Sequence, residues 1–214
     1  MITRHYSILD RLVIESDKAL RTVFGKPETS ERAMPGSELP ESELTEQEVK
    51  QSIGLMRVNH SGEVSAQALY QGQALTAKLP NVRQAMEQAA IEENDHLVWC
   101  EQRVHHFGGH TSLFNPFWYI GSFAIGALAG KIGDKWSLGF VAETEKQVIK
   151  HLDQHLDQIS KDDLKSRAVL EQMKRDEAHH GTVALEAGGA ELPPPVKLAM
   201  RCVSKIMTTT SYRI

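Results

Sequence analysis

Four long stretches of the chain carry apolar residues at three- and four-residue spacing, the period of one helix face. The first stripe is Ile53, Met56, His60, Glu63, Gln67, Tyr70, Ala74, and the second is Met86, Ala89, Glu93, His96, Cys100, Val104, Phe107. The third is Leu138, Val141, Glu145, Val148, Leu152, His155, Ile159, and the fourth is Leu170, Met173, Glu177, His180, Ala184. Punctuating residues set the bounds. A Thr45-x-x-Glu48 capping box opens the first helix, which runs to about Leu79, where Pro80 ends it. Asn81 caps the second, which closes at Gly108-Gly109. Asp134 caps the third, which runs to about Ser160; Asp162 or Asp163 opens a fourth, ending at Gly188-Gly189. A short amphipathic helix is predicted over 6–24, with Leu9, Leu12, Leu20 and Val23 on one side, followed by a linker rich in Pro, Ser, Gly and Glu from Gly25 to Leu44. After Pro193-Pro194-Pro195 a final helix is predicted from Val196 to about Met207. Strand signals are nearly absent, so the prediction is an all-α protein. Its parts are a helix and linker over 1–45, a four-helix bundle over 46–190, and a basic amphipathic tail over 191–214.

Each stripe is interrupted near its middle by a carboxylate, and two stripes add a histidine three residues later. An unpaired carboxylate in a core normally protonates rather than stay charged, and four converging carboxylates also repel one another. Two divalent cations remove both problems: four Glu supply −4, two Fe(II) supply +4, and neutral imidazoles complete the coordination without adding charge. The arrangement repeats. Glu63 precedes Glu93-x-x-His96 by 30 residues, and Glu145 precedes Glu177-x-x-His180 by 32. Each half is a helical hairpin with Glu on one arm and Glu-x-x-His on the other. The i,i+3 spacing sets Glu and His on one face, where both reach one metal centre. Ferritin-like di-metal bundles use this donor set, one Glu from each of two helices and Glu-x-x-His from each of the others. A single Glu-x-x-His is ordinarily a solvated pair; two such motifs with two partner carboxylates, all on core stripes at repeating intervals, are not. The expected fold is therefore a ferritin-like four-helix bundle with accessory terminal helices. Its expected metal ligands are Glu63, Glu93, His96, Glu145, Glu177 and His180 around a di-iron centre, with Glu93 and Glu177 bridging and Glu63 and Glu145 terminal. On the third helix Glu143 lies close to Glu145, and the stripe favours Glu145. Glu92 and Glu143 face away from the stripes and are expected to be solvated. Cys100 is expected to be a core residue.

Composition narrows the class further. The 214 residues suffice for one sizeable core, with 41% hydrophobic and 24% charged residues. A net charge of −4 gives no sign of nucleic-acid binding. Two cysteines, Cys100 and Cys202, without a CxxC pair argue against a disulfide scaffold, a zinc ribbon or a rubredoxin-type site. The first residues, MITRHYSILDRLVIESD, carry acids inside their apolar region and do not read as a signal peptide.

Three stretches carry a family resemblance. The run Leu55-Met56-Arg57-Val58-Asn59-His60-Ser61-Gly62-Glu63, with Ala68-Leu69-Tyr70-Gln71-Gly72-Gln73 after it, resembles the demethoxyubiquinone hydroxylase family of ubiquinone biosynthesis. So do Glu92-Glu93-Asn94-Asp95-His96-Leu97 and Arg175-Asp176-Glu177-Ala178-His179-His180. The resemblance covers roughly residues 50 to 190, and is greatest to bacterial members with an N-terminal extension. It implies a di-iron monooxygenase that hydroxylates the ring of a polyprenyl methoxy-methyl-benzoquinol with O2 and reducing equivalents. The six family ligands fall on the six residues named above. The family position next to His151 that is often Tyr is Leu152 here, so no electron-relay role is assigned there. The implied partners are the quinol lipid, O2, an electron donor of unspecified kind and the membrane surface. The implied assembly is a homo-oligomer or a ubiquinone-biosynthesis complex. The alternatives are a ferroxidase or iron-storage subunit and a manganese catalase.

The segment 111–130 is uncharged and apolar, yet shorter than the ~20 residues a membrane span needs after its Pro116. A single crossing there would also put the two halves of the site on opposite sides of a membrane. A crossover helix that packs on the bundle or lies in the membrane interface is expected instead, with Trp118-Tyr119 suited to the interface. The tail carries Lys197, Arg201, Lys205 and Arg213 and no acid from Pro193 onward, among Val196, Val203 and Ile206. It is expected to pack with the bundle or on an anionic membrane surface, and the protein is expected peripherally on the cytoplasmic face of the cell membrane.

Overall fold

The computed structural model describes residues 7–27, 29–30 and 32–214, and these form helices and no strand. The helices are α1 (Ile8–Phe24), α2 (Glu46–Thr76), α3 (Pro80–His106), α4 (Asn115–Ile132), α5 (Asp134–Gln158), α6 (Leu164–Glu186) and α7 (Pro194–Ser211). The pairs α2–α3 and α5–α6 are the two hairpins of a four-helix bundle, and α4 crosses between them along α2. The stripes bury as their period requires. One apolar cluster gathers Met56, Trp99, Cys100, Val104, Leu152, Leu170 and Met173; another gathers Tyr70, Val82, Met86, Leu138, Val141 and Ala184. The carboxylates and histidines form a polar layer between the two.

Several helix ends differ from those expected. The Thr45–Glu48 capping box forms as predicted, but α2 stops at Thr76 and Pro80 opens α3 rather than merely ending α2. A proline costs nothing in a first turn, where its missing N–H would have had no partner. Asn81 does not cap α3, nor Asp134 its own helix. The Asp134 carboxylate accepts instead from Lys78 N at 3.0 Å and Leu79 N at 2.8 Å, so the start of α5 ties down the α2–α3 turn. Asp163 is the cap of α6, accepting from Ser166 N at 3.2 Å. α7 begins two residues before the predicted start and continues to Ser211.

Backbone contact sets the crossover. A Cβ on Gly126 would collide with the Leu69 carbonyl, and one on Gly72 with the Phe123 carbonyl, so α4 and α2 touch where neither carries a side chain. The opposite face of α4 stays open, with Phe117 68%, Ile120 67%, Leu128 62% and Ile132 69% exposed. No helix among the described residues is long and apolar enough to cross a membrane.

The predicted linker is a packed strap. It crosses the outside of α3 and α6: Ser30 N donates to Asp95 at 2.9 Å, and Glu41 pairs with Arg103 at 2.9 Å and Lys165 at 3.1 Å. Gly36, at φ 71°, fits where a Cβ would press on Ala168. Before the strap, α1 buries Ala19 and Val23 against Val64, Ala68 and Leu97. Leu9 and Leu20, expected on the same side as Val23, are exposed. The Leu12 side chain and the predicted helix start at residue 6 lie outside the described residues.

Candidate metal centre

Glu63, Glu93, His96 and Glu177 meet in the middle of the bundle, all buried, with one ligand atom from each within 4.8 Å of the others. His96 Nδ1 lies 3.5 Å from Glu63 Oε2, 3.2 Å from Glu93 Oε2 and 3.1 Å from Glu177 Oε1. His180 Nδ1 lies 3.2 Å from Glu93 Oε1 and 3.3 Å from Glu177 Oε2. Glu93 and Glu177 thus each present one oxygen to each histidine. Glu145 is buried beside Glu177 and takes a hydrogen bond from the Tyr70 hydroxyl. All six residues predicted from the stripes therefore lie in one polar layer. Glu143 instead turns to Gln147, which donates to it at 2.8 Å, and to Lys197 of α7 at 3.5 Å. It is buried rather than solvated, because α7 covers that side of α5. Cys100 is a core residue, its Sγ 3.7 Å from Met173 Sδ.

The far nitrogen of each histidine is held by the other hairpin. His96 Nε2 lies 2.9 Å from Asp176 Oδ2 on α6, and His180 Nε2 lies 2.7 Å from Glu92 Oε2 on α3. The expectation that Glu92 is solvated is wrong. The stripe describes only its own helix, and Glu92 reaches across the bundle to a histidine 88 residues away. The signal was present in the repeat, since an acid stands immediately before each Glu-x-x-His glutamate, Glu92 in one half and Asp176 in the other. Such outer carboxylates orient a ligating imidazole and fix its tautomer.

A histidine that gives its Nε2 proton to a carboxylate turns an Nδ1 lone pair towards further carboxylate oxygens, which repels unless positive charge sits between them. Glu63 Oε2 and Glu93 Oε1 are buried without a hydrogen-bond partner. Burial first, then the charge on Glu93, pushes the Glu63 carboxyl far above its ordinary range; burial and then Glu177 do the same to Glu145. At Glu93 burial acts the same way, but the His180 and His96 imidazoles beside it outweigh it and hold the carboxyl well below. Burial opposes charge on His180, yet Glu177 and Glu93 raise it to about 12; burial also opposes charge on His96, which Asp176, Glu177, Glu63 and Glu93 raise well above its ordinary value. With protein atoms alone, protons must supply the positive charge. Glu63, Glu93, His96 and Glu177 together offer a donor set able to hold a metal ion, and the orphaned oxygens fit one.

Two cavities reach this layer. One of about 330 Å³ lies between α2, α4, α5 and α7, with Glu63 and Asn59 at its inner end and Leu69, Trp118, Ile125 and Met200 among its apolar walls. His155 lines it, its Nδ1 2.8 Å from Asn59 Oδ1; burial lowers this histidine to about 4, so it is neutral. A smaller cavity of about 170 Å³ touches Tyr70, Glu92 and His180 on the other side of the layer.

Comparison with known proteins agrees with this geometry. The structure resembles the bacterioferritin-related protein of Bacteroides fragilis, a dodecameric thioferritin, with a TM-score of 0.55, covering 64% of this chain and 84% of that one at 18% identity. That likeness places the fold among ferritin-like bundles. In sequence the chain is 65% identical over 211 residues to a protein of Nitrosococcus oceani, covering 99% of both chains. It is 60% identical to one of Stutzerimonas stutzeri and 57% identical to one of Pseudomonas fluorescens, each over 99% of this chain and 98% of the relative. All three relatives are named 3-demethoxyubiquinol 3-hydroxylase. The profile of the family described as "Ubiquinone biosynthesis protein COQ7" matches residues 50–211, and the chain belongs to that family.

Proposed function

We propose that the chain holds two iron ions among Glu63, Glu93, His96, Glu145, Glu177 and His180, and uses them to hydroxylate the ring of a polyprenyl methoxy-methyl-benzoquinol with O2. Glu93 and Glu177, which each present one oxygen to each histidine, would serve both ions, and Glu63 and Glu145 would each serve one. The observation that carries this reading is the pair of carboxylates that each offer one oxygen to each histidine, set beside an apolar cavity ending at Glu63. Hard oxygen and nitrogen donors suit iron better than copper or zinc. When bound, the iron pair supplies electrons and positive charge for reducing O2, and an outside donor replenishes the electrons.

The chain's own residues do the rest. Asp176 and Glu92 hold the imidazoles by Nε2, so that Nδ1 faces inward. Tyr70 fixes Glu145. The cavity walls keep water from the ring and leave its prenyl tail among apolar side chains. Neutral His155, donating from Nδ1 to Asn59, keeps Nε2 as an acceptor for a quinol hydroxyl.

The cavity is walled by α4 and α7, the helices that also expose apolar faces. Leu198, Val203 and Ile206 of α7 are exposed with the α4 residues, and Arg201, Lys205 and Arg213 lie exposed among them, whereas Lys197 turns inward to Glu143 and Glu191. This supports peripheral binding to an anionic bilayer, which delivers the lipid directly to the cavity. Replacing Glu93 or His180 by Ala tests the central claim: bound iron should fall and the demethoxy quinone should accumulate in cells. Normal ubiquinone in both variants overturns it. Ile120→Asp with Ile206→Asp should weaken flotation with anionic liposomes at unchanged iron content, and undiminished flotation sinks the membrane role.

A further inference from the structure

The strap before the bundle does more than cover it. Arg32 spans the two helices that carry the Glu-x-x-His motifs. Its Nε donates to Asp95 Oδ2 on α3 at 2.6 Å, and its Nη1 donates to Asp176 Oδ2 on α6 at 2.8 Å. That same Asp176 oxygen lies 2.9 Å from His96 Nε2. The guanidinium stacks over Trp99, 4.9 Å from the ring centroid, and Trp99 in turn lies 5.4 Å from the His96 ring. Ser30 fixes the approach by donating its backbone N–H and its hydroxyl to Asp95. Asp176 is completed by Gln172, which donates to its other oxygen at 2.8 Å.

The other histidine has no such brace. His180 Nε2 is held by Glu92, which takes a further hydrogen bond from Gln88 at 3.0 Å and has no cation in hydrogen-bonding contact among the described residues. Glu92 borders the smaller cavity, whereas Asp176 lies under the strap. The two halves match in their ligands and differ in what stands behind them.

We propose that Arg32 of the N-terminal strap is a positioning residue of the metal centre: by clamping Asp176 against Asp95 it fixes the His96 imidazole and makes the His96 half the tighter metal position. The inference rests on the metal-centre reading above. A bidentate guanidinium suits this task because its fork is rigid and always charged, where an ammonium would reach one carboxylate at a time. Partners that orient a ligand's far nitrogen commonly affect metal affinity by about 10–100-fold on removal.

Anaerobic Fe(II) titration of the full-length chain tests it, with Co(II) absorption spectra as a second readout of ligand geometry. Arg32→Ala should weaken the tighter binding step by about tenfold and shift the Co(II) bands, within the range for such partners. Arg32→Lys should fall between it and the unaltered chain. In an Asp176→Asn background Arg32→Ala should add little further loss, because its charged link to the His96 nitrogen is already broken and only the packing through Trp99 remains. Glu41→Ala, which frees the strap from Arg103, Lys165 and His106 and touches neither His96 nor His180, should leave Fe(II) binding unchanged. The proposal is overturned by wild-type affinity in Arg32→Ala, by equal loss in Glu41→Ala, or by additive loss in the Asp176→Asn background. An unaltered chain that binds no Fe(II) would instead remove the metal-centre reading, and this inference with it.

Discussion

The two hairpins of the bundle carry the same ligands in the same order, yet their surroundings diverge. In the first, Glu63 faces the large apolar cavity and His96 is fully buried behind Asp176 and the strap. In the second, Glu145 is closed off by the Tyr70 hydroxyl, and His180 is held by the partly exposed Glu92 beside the small cavity. The repeat builds a near-symmetric cage, and the residues around it decide where a substrate can approach. One half is open at its carboxylate and shut at its histidine; the other is the reverse.

The shared carboxylates offer the sharpest break in that comparison. Glu93 and Glu177 belong to both halves, so Glu177→Ala should empty both metal positions, with bound metal below about one tenth of the wild-type level, whereas Glu63→Ala or Glu145→Ala should spare the opposite half in part. Equal residual metal in all three variants, measured by elemental analysis, would show that the halves are not separable in this way.

Protons compete with metal at the same nitrogens. In the metal-free chain His180 is raised to about 12 and His96 is raised as well, so both are charged at neutral pH. A raised folded pKa stabilises the metal-free chain fully below the unfolded histidine value of about 6.5, and that stabilisation fades as pH climbs towards the folded value. Metal must displace those protons, so Fe(II) affinity should rise with pH by about tenfold per unit for each proton released. Calorimetry in buffers of different ionisation enthalpy counts them, and zero released protons contradicts charged imidazoles in the metal-free state.

A smaller effect separates the halves. Tyr70→Phe leaves Glu145 without its donor, at a cost of about 1–3 kcal/mol for a buried acceptor. Fe(II) titration should show a weaker second step with the first unchanged. Weakening of both steps would mean that Tyr70 supports the whole cage.

Much of this was legible along the chain because burial and charge leave a periodic trace. Glu63 and Glu145 stood out as carboxylates where the helix period demands apolar residues. Asp176 and Glu92 did not, since each lies off its own stripe and acts on the opposite hairpin; only the doubled acid–Glu–x–x–His pattern marked them. Asp134 was placed on its own helix, as local rules dictate, but its oxygens go to a turn more than fifty residues earlier. Arg32 had no trace at all. It sits in a segment whose composition reads as a linker, and its partners at 95 and 176 come together only in the folded bundle. Local periodicity reveals which side chains enter a core, while the contacts that brace them depend on distant segments meeting.

The mildest change concerns the open half alone. Ala199 lines the large cavity from α7 and is exposed, unlike the buried metal layer. Ala199→Phe fills part of the space next to Met200 and Val203 without removing any ligand or polar contact. It should raise KM for the quinol by about three- to tenfold, the scale of about one buried methylene of apolar contact, with kcat and iron content nearly unchanged. A change in kcat with KM constant would mean that the quinol ring does not enter between α2, α5 and α7. The smaller cavity beside His180 would then be the approach to examine, and the two halves would exchange the roles assigned to them by Glu63 and Tyr70.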